Sequence, residues 1–127
     1  MTEYLDLDDL LAAAGSVVGG PAEIRDIGLL ESAAARPQAT AFGDEAYPDL
    51  DAKAAALLHA IVSGHPLVDG NKRLGWVACR LFYRMNGADL RAEPEDAYDL
   101  VVAVASGELR DVPAIAQRLA TWRRPLA

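Results

Sequence analysis

The chain has 127 residues, 52% of them hydrophobic and 24% charged, so it is large enough for a hydrophobic core, and we predict one domain over residues 1–127. The net charge of −7 argues against a general affinity for nucleic acid or anionic membranes. A single cysteine excludes an intramolecular disulfide, and no apolar stretch approaches the length of a membrane-spanning helix.

The N-terminal segment is acidic and shows no sign of a targeting signal. Glu3, Asp6, Asp8 and Asp9 lie where a secretory signal would carry basic residues and then an apolar run. We therefore expect a cytoplasmic protein that does not associate with membranes.

The charges are unevenly distributed along the chain. Residues 1–64 hold eleven acidic and three basic side chains, whereas residues 65–91 hold two acidic and five basic ones. A short cationic segment within an acidic chain suits a compact anionic ligand better than a long polyanion.

Alanine and leucine are frequent, whereas β-branched and aromatic residues are sparse, so the composition favours helix over a large sheet. Apolar residues recur at helical spacing in six stretches, several of them bounded by an aspartate and a glycine. The predicted helices cover residues 7–15, 27–36, 52–64, 71–86, 94–107 and 111–122, with Asp6 and Asp51 as N-caps. The predicted fold is a compact all-α bundle of about six helices.

Between Pro37 and Pro48 the helical spacing is lost, and polar, aromatic and turn residues follow one another. This segment contains Phe42, Gly43 and Tyr47. The residues alone leave two interpretations open: a surface loop with both aromatic side chains packed into the core, or an exposed element beside a functional site.

The helix predicted from Asn71 has the clearest apolar spacing in the chain and should be the central one. Its apolar positions repeat at i, i+3, i+4, i+7, i+8 and i+11, and they are Leu74, Val77, Ala78, Leu81, Phe82 and Met85. Cys79 falls inside this pattern, so we expect a buried, unreactive thiol.

The segment that precedes this helix carries most of the chemistry of the chain. Residues 65–73 read His-Pro-Leu-Val-Asp-Gly-Asn-Lys-Arg, which places an imidazole, a carboxylate, an amide and two cations within nine residues. A loop that enters a helix presents free backbone N–H groups and the positive end of the helix dipole. The sequence therefore predicts an anion site, most naturally for phosphate.

Each side chain of this segment has two interpretations. His65 can accept a proton from an attacking hydroxyl, or it can be a plain loop residue. Asp69 can bind Mg²⁺ together with phosphate oxygens, or it can cap the helix. Gly70 lets the backbone approach a phosphate, and Asn71 can either hold the loop or donate to a phosphate oxygen.

Two adjacent cations, Lys72 and Arg73, lie where phosphates would bind, although solvated surface cations are the alternative interpretation. Arg80 and Arg84 are one turn apart on the same helix, and we predict that they lie outside the site. We expect Leu67 to face the core and anchor the loop.

Residues 65–73 resemble the signature of the Fic/Doc superfamily, and the Lys72-Arg73 pair after Asn71 is similar to that of the Doc (death-on-curing) branch. Leu67 stands where the family usually has phenylalanine. Residues 29–38, which read LLESAAARPQ, also resemble Doc toxins. The resemblance extends from about Ile24 to the end of the helix that follows Arg73.

This resemblance implies a Fic fold, an all-α bundle with a small β-hairpin flap that docks the target protein. The flap would lie between residues 37 and 48 and would use Thr40, Phe42, Gly43 and Tyr47. The resemblance further implies a site for ATP and Mg²⁺ in which His65 is catalytic and Asp69 binds the metal. The residues that bind the phosphates would be Gly70, Asn71, Lys72 and Arg73.

The implied function is that of the toxin of a type II toxin-antitoxin pair. Such a toxin transfers the γ-phosphate of ATP to a hydroxyl of a protein, for which the family expectation is elongation factor Tu, and so arrests translation. Many Fic proteins block their own site with a helix reading S/T-x-x-x-E-G/N. This sequence contains no such motif, so we expect inhibition by a separate, Phd-like antitoxin chain.

Three other functions remain open. Fic adenylyltransferases have glycine and a second arginine at the positions of Lys72 and Trp76, which favours phosphoryl transfer here. Gly70 is shared with those enzymes, however, so adenylylation is the alternative. A catalytically inactive binding module is the second alternative, and the intact motif argues against it. Direct nucleic-acid binding is opposed by the charge.

Overall fold

A computed structural model describes residues 1–126, which form six α-helices and two small two-stranded β-sheets. The helices are α1 (Leu7–Val18), α2 (Ile27–Ala35), α3 (Leu50–Gly64), α4 (Asn71–Met85), α5 (Pro94–Ser106) and α6 (Val112–Trp122). The strands are β1 (Thr40–Ala41), β2 (Asp44–Glu45), β3 (Ala88–Leu90) and β4 (Arg123–Pro125), and a 3₁₀ turn covers Arg36–Gln38. The prediction of an all-α bundle with a small β-hairpin is confirmed. No helix within residues 1–126 has the length and apolar character needed to cross a bilayer.

Four helices begin at an aspartate whose side chain accepts the N–H group three residues later, and these caps are Asp6, Asp26, Asp49 and Asp111. The prediction that Asp51 caps α3 is wrong. Asp51 instead accepts the hydroxyl of Tyr83 at 2.7 Å and pairs with Arg123 at 3.1 Å. It thereby joins the start of α3 to α4 and to β4.

Helix α1 is longer than the sequence predicts. It continues through Gly15 and ends after Val18, where Gly19 has a φ of +76°. A glycine within a helix lowers the stability of the helix by only about 1 kcal/mol relative to alanine, so Gly15 does not end α1. Gly19 ends it because the left-handed conformation at a helix terminus suits glycine.

Helices α3 and α4 pack closely at the centre of the core, and Gly75 of α4 lies against α3 where the two meet. A methyl group at Gly75 would lie 2.4 Å from the Cγ2 of Val62 and 3.2 Å from Leu58. This contact explains why the buried face of α4 differs from the predicted one. Gly75 and Tyr83 are buried, whereas Leu81 and Met85 are 39% and 38% exposed; Cys79 is buried, as predicted.

The sheet formed by β3 and β4 joins the strand that follows α6 to the strand that follows α4. β3 pairs antiparallel with β4, with Asp89 opposite Arg124. The sequence did not predict this pairing. The two strands are separated by α5 and α6, and a pairing over that distance leaves no local signal in the sequence.

The hairpin formed by β1 and β2 is exposed but firmly anchored. Phe42 and Gly43 form its two-residue turn, both with positive φ, and the Phe42 side chain is fully exposed. The interpretation in which Phe42 packs into the core is therefore wrong. The buried Lys53 anchors the base of the hairpin, because it donates to Glu45 at 2.8 Å and to the carbonyl of Tyr47.

Tyr47 is held from the other side by the end of α2. Arg36 donates to the hydroxyl of Tyr47 at 3.1 Å and contacts the Nδ1 of His59 at 2.8 Å. Burial and, next, the positive charge of Arg36 lower the pKa of His59 below its ordinary value. His59 thus links α3 to the end of α2 through Arg36 and has a structural role.

We expect Gly75→Ala to lower the free energy of unfolding by about 1–3 kcal/mol, because the added methyl group overlaps Val62 in a closely packed core. The measurement is urea denaturation followed by circular dichroism. Gly64→Ala is the matched control, since Gly64 is also helical and has open space at its Cβ position. Equal stability of the two variants would contradict the close contact between α3 and α4.

Candidate active site

The loop between α3 and α4 opens onto a cleft of about 1030 Å³. All six residues that the sequence predicts for the catalytic and phosphate-binding site line this cleft: His65, Asp69, Gly70, Asn71, Lys72 and Arg73. The structure thus brings these residues together between the end of α3 and the first turn of α4.

His65 lies directly after the last residue of α3. It has a φ of +53°, a left-handed conformation that is uncommon for a residue with a side chain, and its N–H donates to the carbonyl of Ile61 at 3.2 Å. Its side chain is exposed, whereas Pro66 and Leu67 are buried. The prediction that Leu67 anchors the loop in the core is confirmed.

A second segment, residues 23–26, pairs with this loop along its backbone. The N–H groups of Arg25 and Asp26 both donate to the carbonyl of Pro66, at 2.8 and 3.0 Å, and the N–H of Val68 donates to Glu23 at 3.0 Å. An isolated β-bridge joins Ile24 to Leu67. The motif loop is therefore fixed by a distant part of the chain.

The side chain of Asn71 holds the same loop from within. Its Oδ1 accepts the N–H of Leu67 and its Nδ2 donates to the carbonyl of Leu67, both at 2.9 Å. Asn71 is also buried. Of the two predicted roles, the structure shows the one in which Asn71 holds the loop, which leaves its backbone N–H for an anion.

Gly70, with a φ of +90°, is the N-cap of α4. The alternative in which Asp69 caps this helix is therefore wrong, and the Asp69 side chain is exposed beside the cleft. Because glycine supplies no capping oxygen, the first N–H groups of α4 remain available to a ligand. The left-handed conformation favours glycine here, and the space is narrow as well, because a methyl group at Gly70 would lie 3.1 Å from the side chain of Val18.

The two predicted cations are exposed in the first turn of α4. Arg73 donates through Nη1 to the carbonyl of Val17 at 2.8 Å, which fixes its guanidinium against the end of α1. Its other N–H groups remain for an anion in the cleft. Lys72 lies beside it and adds a second positive charge.

Asp69 could hold a divalent cation only with help from a ligand. Within residues 1–126, no three His, Cys, Asp or Glu side chains lie close enough together to bind a metal ion by themselves. Mg²⁺ commonly binds through one or two carboxylates plus phosphate oxygens and water. One exposed carboxylate beside the uncapped start of α4 fits that pattern.

The other half of the cleft is apolar and cationic. Its apolar wall includes Trp76, Leu90, Ala97, Tyr98 and Val101. Trp76 packs edge-on against Trp122, with 6.2 Å between the ring centroids. The face of α5 that lines this wall was not predicted as part of the site.

Arg80 and Arg91 line this half as well. The prediction that Arg80 lies outside the site is therefore wrong.

The buried Asp89 accepts from Arg91 at 3.1 Å and Arg84 at 3.3 Å, and Arg80 lies 3.7 Å away. The hydrogen bond from Arg91 is the main reason why the pKa of Asp89 is lowered. Three cations share one carboxylate, so this end of the cleft carries excess positive charge.

The hairpin residues Thr40, Phe42, Gly43 and Tyr47 do not belong to this cleft. Tyr47 borders a separate, smaller groove against α6. The base of the hairpin is fixed at Lys53, near the start of α3, whereas His65 follows its end. The helix separates these positions by about 18 Å at 1.5 Å per residue.

The sequence profile of the Fic/DOC family matches residues 3–83. The chain belongs to this family. It is 48% identical over 122 residues to the Toxin Doc of Mycolicibacterium smegmatis, and the alignment covers 94% of this chain and 93% of that protein. It is 37% identical over 101 residues to the Protein kinase doc of Escherichia phage P1, which corresponds to 80% and 78% of the two chains.

In this Fic/DOC protein, the motif gives no signal for several residues that shape the site. Arg25 contacts the backbone of the loop, while Arg91 and Tyr98 line the far half of the cleft. Arg80 and Arg91 belong to the local excess of basic residues between positions 65 and 91, but Arg80 was predicted to lie outside the site and Arg91 was not singled out. Nothing in the sequence pointed to Arg25 or to the face of α5 that lines the cleft.

We expect Asn71→Ala to lower the free energy of unfolding by about 1–3 kcal/mol, because Leu67 loses both hydrogen bonds in a buried place. Amide hydrogen exchange should accelerate at Leu67. Asn86→Ala is the matched control, since Asn86 binds Glu3 and Phe82 at the opposite end of α4. Unchanged exchange at Leu67 in Asn71→Ala would show that the amide does not hold the loop.

Proposed function

We propose that this protein is the toxin of a type II toxin-antitoxin pair and that it transfers the γ-phosphate of ATP to a hydroxyl of a target protein. The observation that carries the proposal is the cleft at the start of α4, where His65 lies with Asp69, Lys72 and Arg73. Membership of the Fic/DOC family and the names of the two relatives support it.

The first turn of α4 has the properties of a phosphate site. Backbone N–H groups without capping partners and the helix dipole both favour negative charge. Lys72 contributes a point charge, and Arg73 contributes a fixed fork that can bind two oxygens. Asp69 can hold Mg²⁺, which neutralises part of the phosphate charge when bound. Positioning and charge neutralisation are the main requirements of phosphoryl transfer.

His65 supplies the proton acceptor. The target hydroxyl oxygen forms a bond to the γ-phosphorus, the bond from phosphorus to the bridging oxygen breaks, and ADP leaves. The proton of the hydroxyl passes to the imidazole of His65, which is exposed in the cleft. His65 is therefore the group whose loss should stop the reaction without disturbing the core.

Two residues favour phosphoryl transfer over adenylyl transfer. The side chain of Lys72 occupies space that Fic adenylyltransferases leave open with glycine. Trp76 stands where those enzymes have a second arginine, and its indole packs against Trp122, so it offers no charge to a triphosphate. Adenylylation remains the alternative reaction because Gly70 is common to both branches. An inactive binding module is the second alternative.

The proposed target is a protein, with elongation factor Tu as the family expectation, and we propose that the hairpin docks it. The exposed Phe42 at the turn and the neighbouring Thr40 and Gly43 offer a contact surface, while Tyr47 fixes the base. Because the hairpin is anchored at the far end of α3, a docked target would extend along this helix to reach His65.

We expect His65→Ala to abolish transfer while leaving the stability of the fold nearly unchanged, since the side chain is exposed. The assay is incubation with ATP, Mg²⁺ and purified elongation factor Tu from the same host, followed by intact-mass analysis. An added phosphate supports the proposal, and an added adenylate would establish the alternative reaction.

His59→Ala is the matched control, because the only other histidine of the chain lies on α3 away from the cleft and should retain activity. Full activity of His65→Ala would refute the assigned role of His65. If elongation factor Tu is not modified but another protein in a lysate of the host gains a phosphate, only the identity of the target is wrong.

We also propose that a Phd-like antitoxin inhibits this protein through the far half of the cleft. An amphipathic segment with acidic residues would match its apolar wall and the excess charge around Arg80 and Arg91. Such a segment can fold on binding. No membrane or direct nucleic-acid contact is part of this proposal.

The isolated protein should be active, and addition of the antitoxin should inhibit it. Tyr98→Ala should weaken inhibition about tenfold or more, because an exposed aromatic anchor is lost from the interface. Leu81→Ala, an exposed apolar residue of α4 outside the cleft, is the control. An isolated protein that requires the partner for activity would contradict this form of regulation.

A further inference from the structure

Arg25 makes a contact with the motif loop that the pairing of the two backbones does not require. Its Nε donates to the carbonyl of His65, and its Nη2 donates to the carbonyl of Gly64 at 2.8 Å. The guanidinium therefore binds two consecutive carbonyl groups, one of which belongs to the histidine itself.

These two carbonyls lie at a point where the backbone needs support. They are at the C-terminal end of α3, where the last carbonyl groups of a helix lack partners within the helix. His65 has the left-handed conformation there, with a φ of +53°, which favours glycine over residues with a side chain. A cation at this end also interacts favourably with the helix dipole.

We propose that Arg25 is a positioning residue that holds His65 in this conformation and so directs the imidazole into the cleft. The inference deepens the proposed function and rests on His65 as the proton acceptor. Arg25 does not line the cleft, so it acts through the backbone of His65. Its fork fixes the two carbonyl groups that flank the Cα of His65, one in the peptide bond between Gly64 and His65 and one in the bond between His65 and Pro66.

The chain offers a close comparison at another helix. Arg110 donates through Nε to the carbonyl of Gly107 at 2.7 Å, and Gly107 is the left-handed residue that ends α5. The contact has the same chemistry, an arginine bound to the carbonyl of a left-handed residue at the end of a helix. Arg110 is distant from the motif loop in sequence and does not line the cleft, so it separates the general effect of such a contact from an effect on His65.

The experiment compares Arg25→Ala, Arg25→Lys and Arg110→Ala with the unmodified protein. For Arg25→Ala, kcat should fall about tenfold to hundredfold, because small displacements of a catalytic group reduce the rate strongly. The KM for ATP should change less than about twofold, since Lys72 and Arg73 are untouched. Arg25→Lys should recover only part of the rate, because lysine keeps the charge but not the fork. Arg110→Ala should keep the full kcat.

A second measurement does not depend on catalysis. In ¹H–¹⁵N spectra of the imidazole, the signals of His65 should shift and broaden in Arg25→Ala, while those of His59 stay unchanged. Arg110→Ala should leave both histidines unaffected. These spectra report the conformational freedom of the ring whether or not the protein transfers phosphate.

Three outcomes would overturn the inference: an unchanged kcat in Arg25→Ala, a rise in the KM for ATP that accounts for the whole loss, or unchanged His65 signals. If the unmodified protein modifies no target, the proposed function fails separately. The imidazole spectra then decide alone whether Arg25 positions His65.

Discussion

The candidate site depends on one constraint, the fixed conformation of the short loop between α3 and α4. Asn71 binds both polar backbone groups of Leu67, and residues 23–26 pair with the other side of the same loop. The two contacts come from opposite directions, one from the helix that follows the loop and one from a segment forty residues earlier. Together they allow exposed residues, His65 and Asp69, to stand on an otherwise rigid backbone.

The side chains that fix the loop differ from the side chains that are exposed in the cleft. The residues that bury surface or satisfy the backbone are Leu67, Asn71 and Gly70, and each has a specific steric or hydrogen-bonding reason for its identity. The residues that face a ligand are exposed and contribute little to the core. Gly75 supports the site from a distance. It allows α3 and α4 to pack closely, and this packing fixes the direction of the first turn of α4.

Local signals in the sequence were sufficient for the helices, the Asp6 cap and the motif loop, since these features depend on neighbouring residues. They gave the wrong residue where two nearby aspartates could cap the same helix, as Asp49 and Asp51 could at the start of α3. They also failed where the cause is tertiary. The pairing of β3 with β4, the contact of Arg25 with His65 and the position of Arg80 all join distant parts of the chain, and the hairpin was expected only through the family resemblance.

The shared carboxylate of Asp89 has a consequence for the rate at which ligands arrive. The protein carries a net charge of −7, so its surface as a whole repels anions, while the cations around Asp89 and those of the first turn of α4 attract them from the two ends of one cleft. Such a field guides an anionic ligand during diffusion and orients it before contact. Because the Debye length is about 8 Å at physiological ionic strength, this guidance acts only near the cleft mouth and weakens as salt is added.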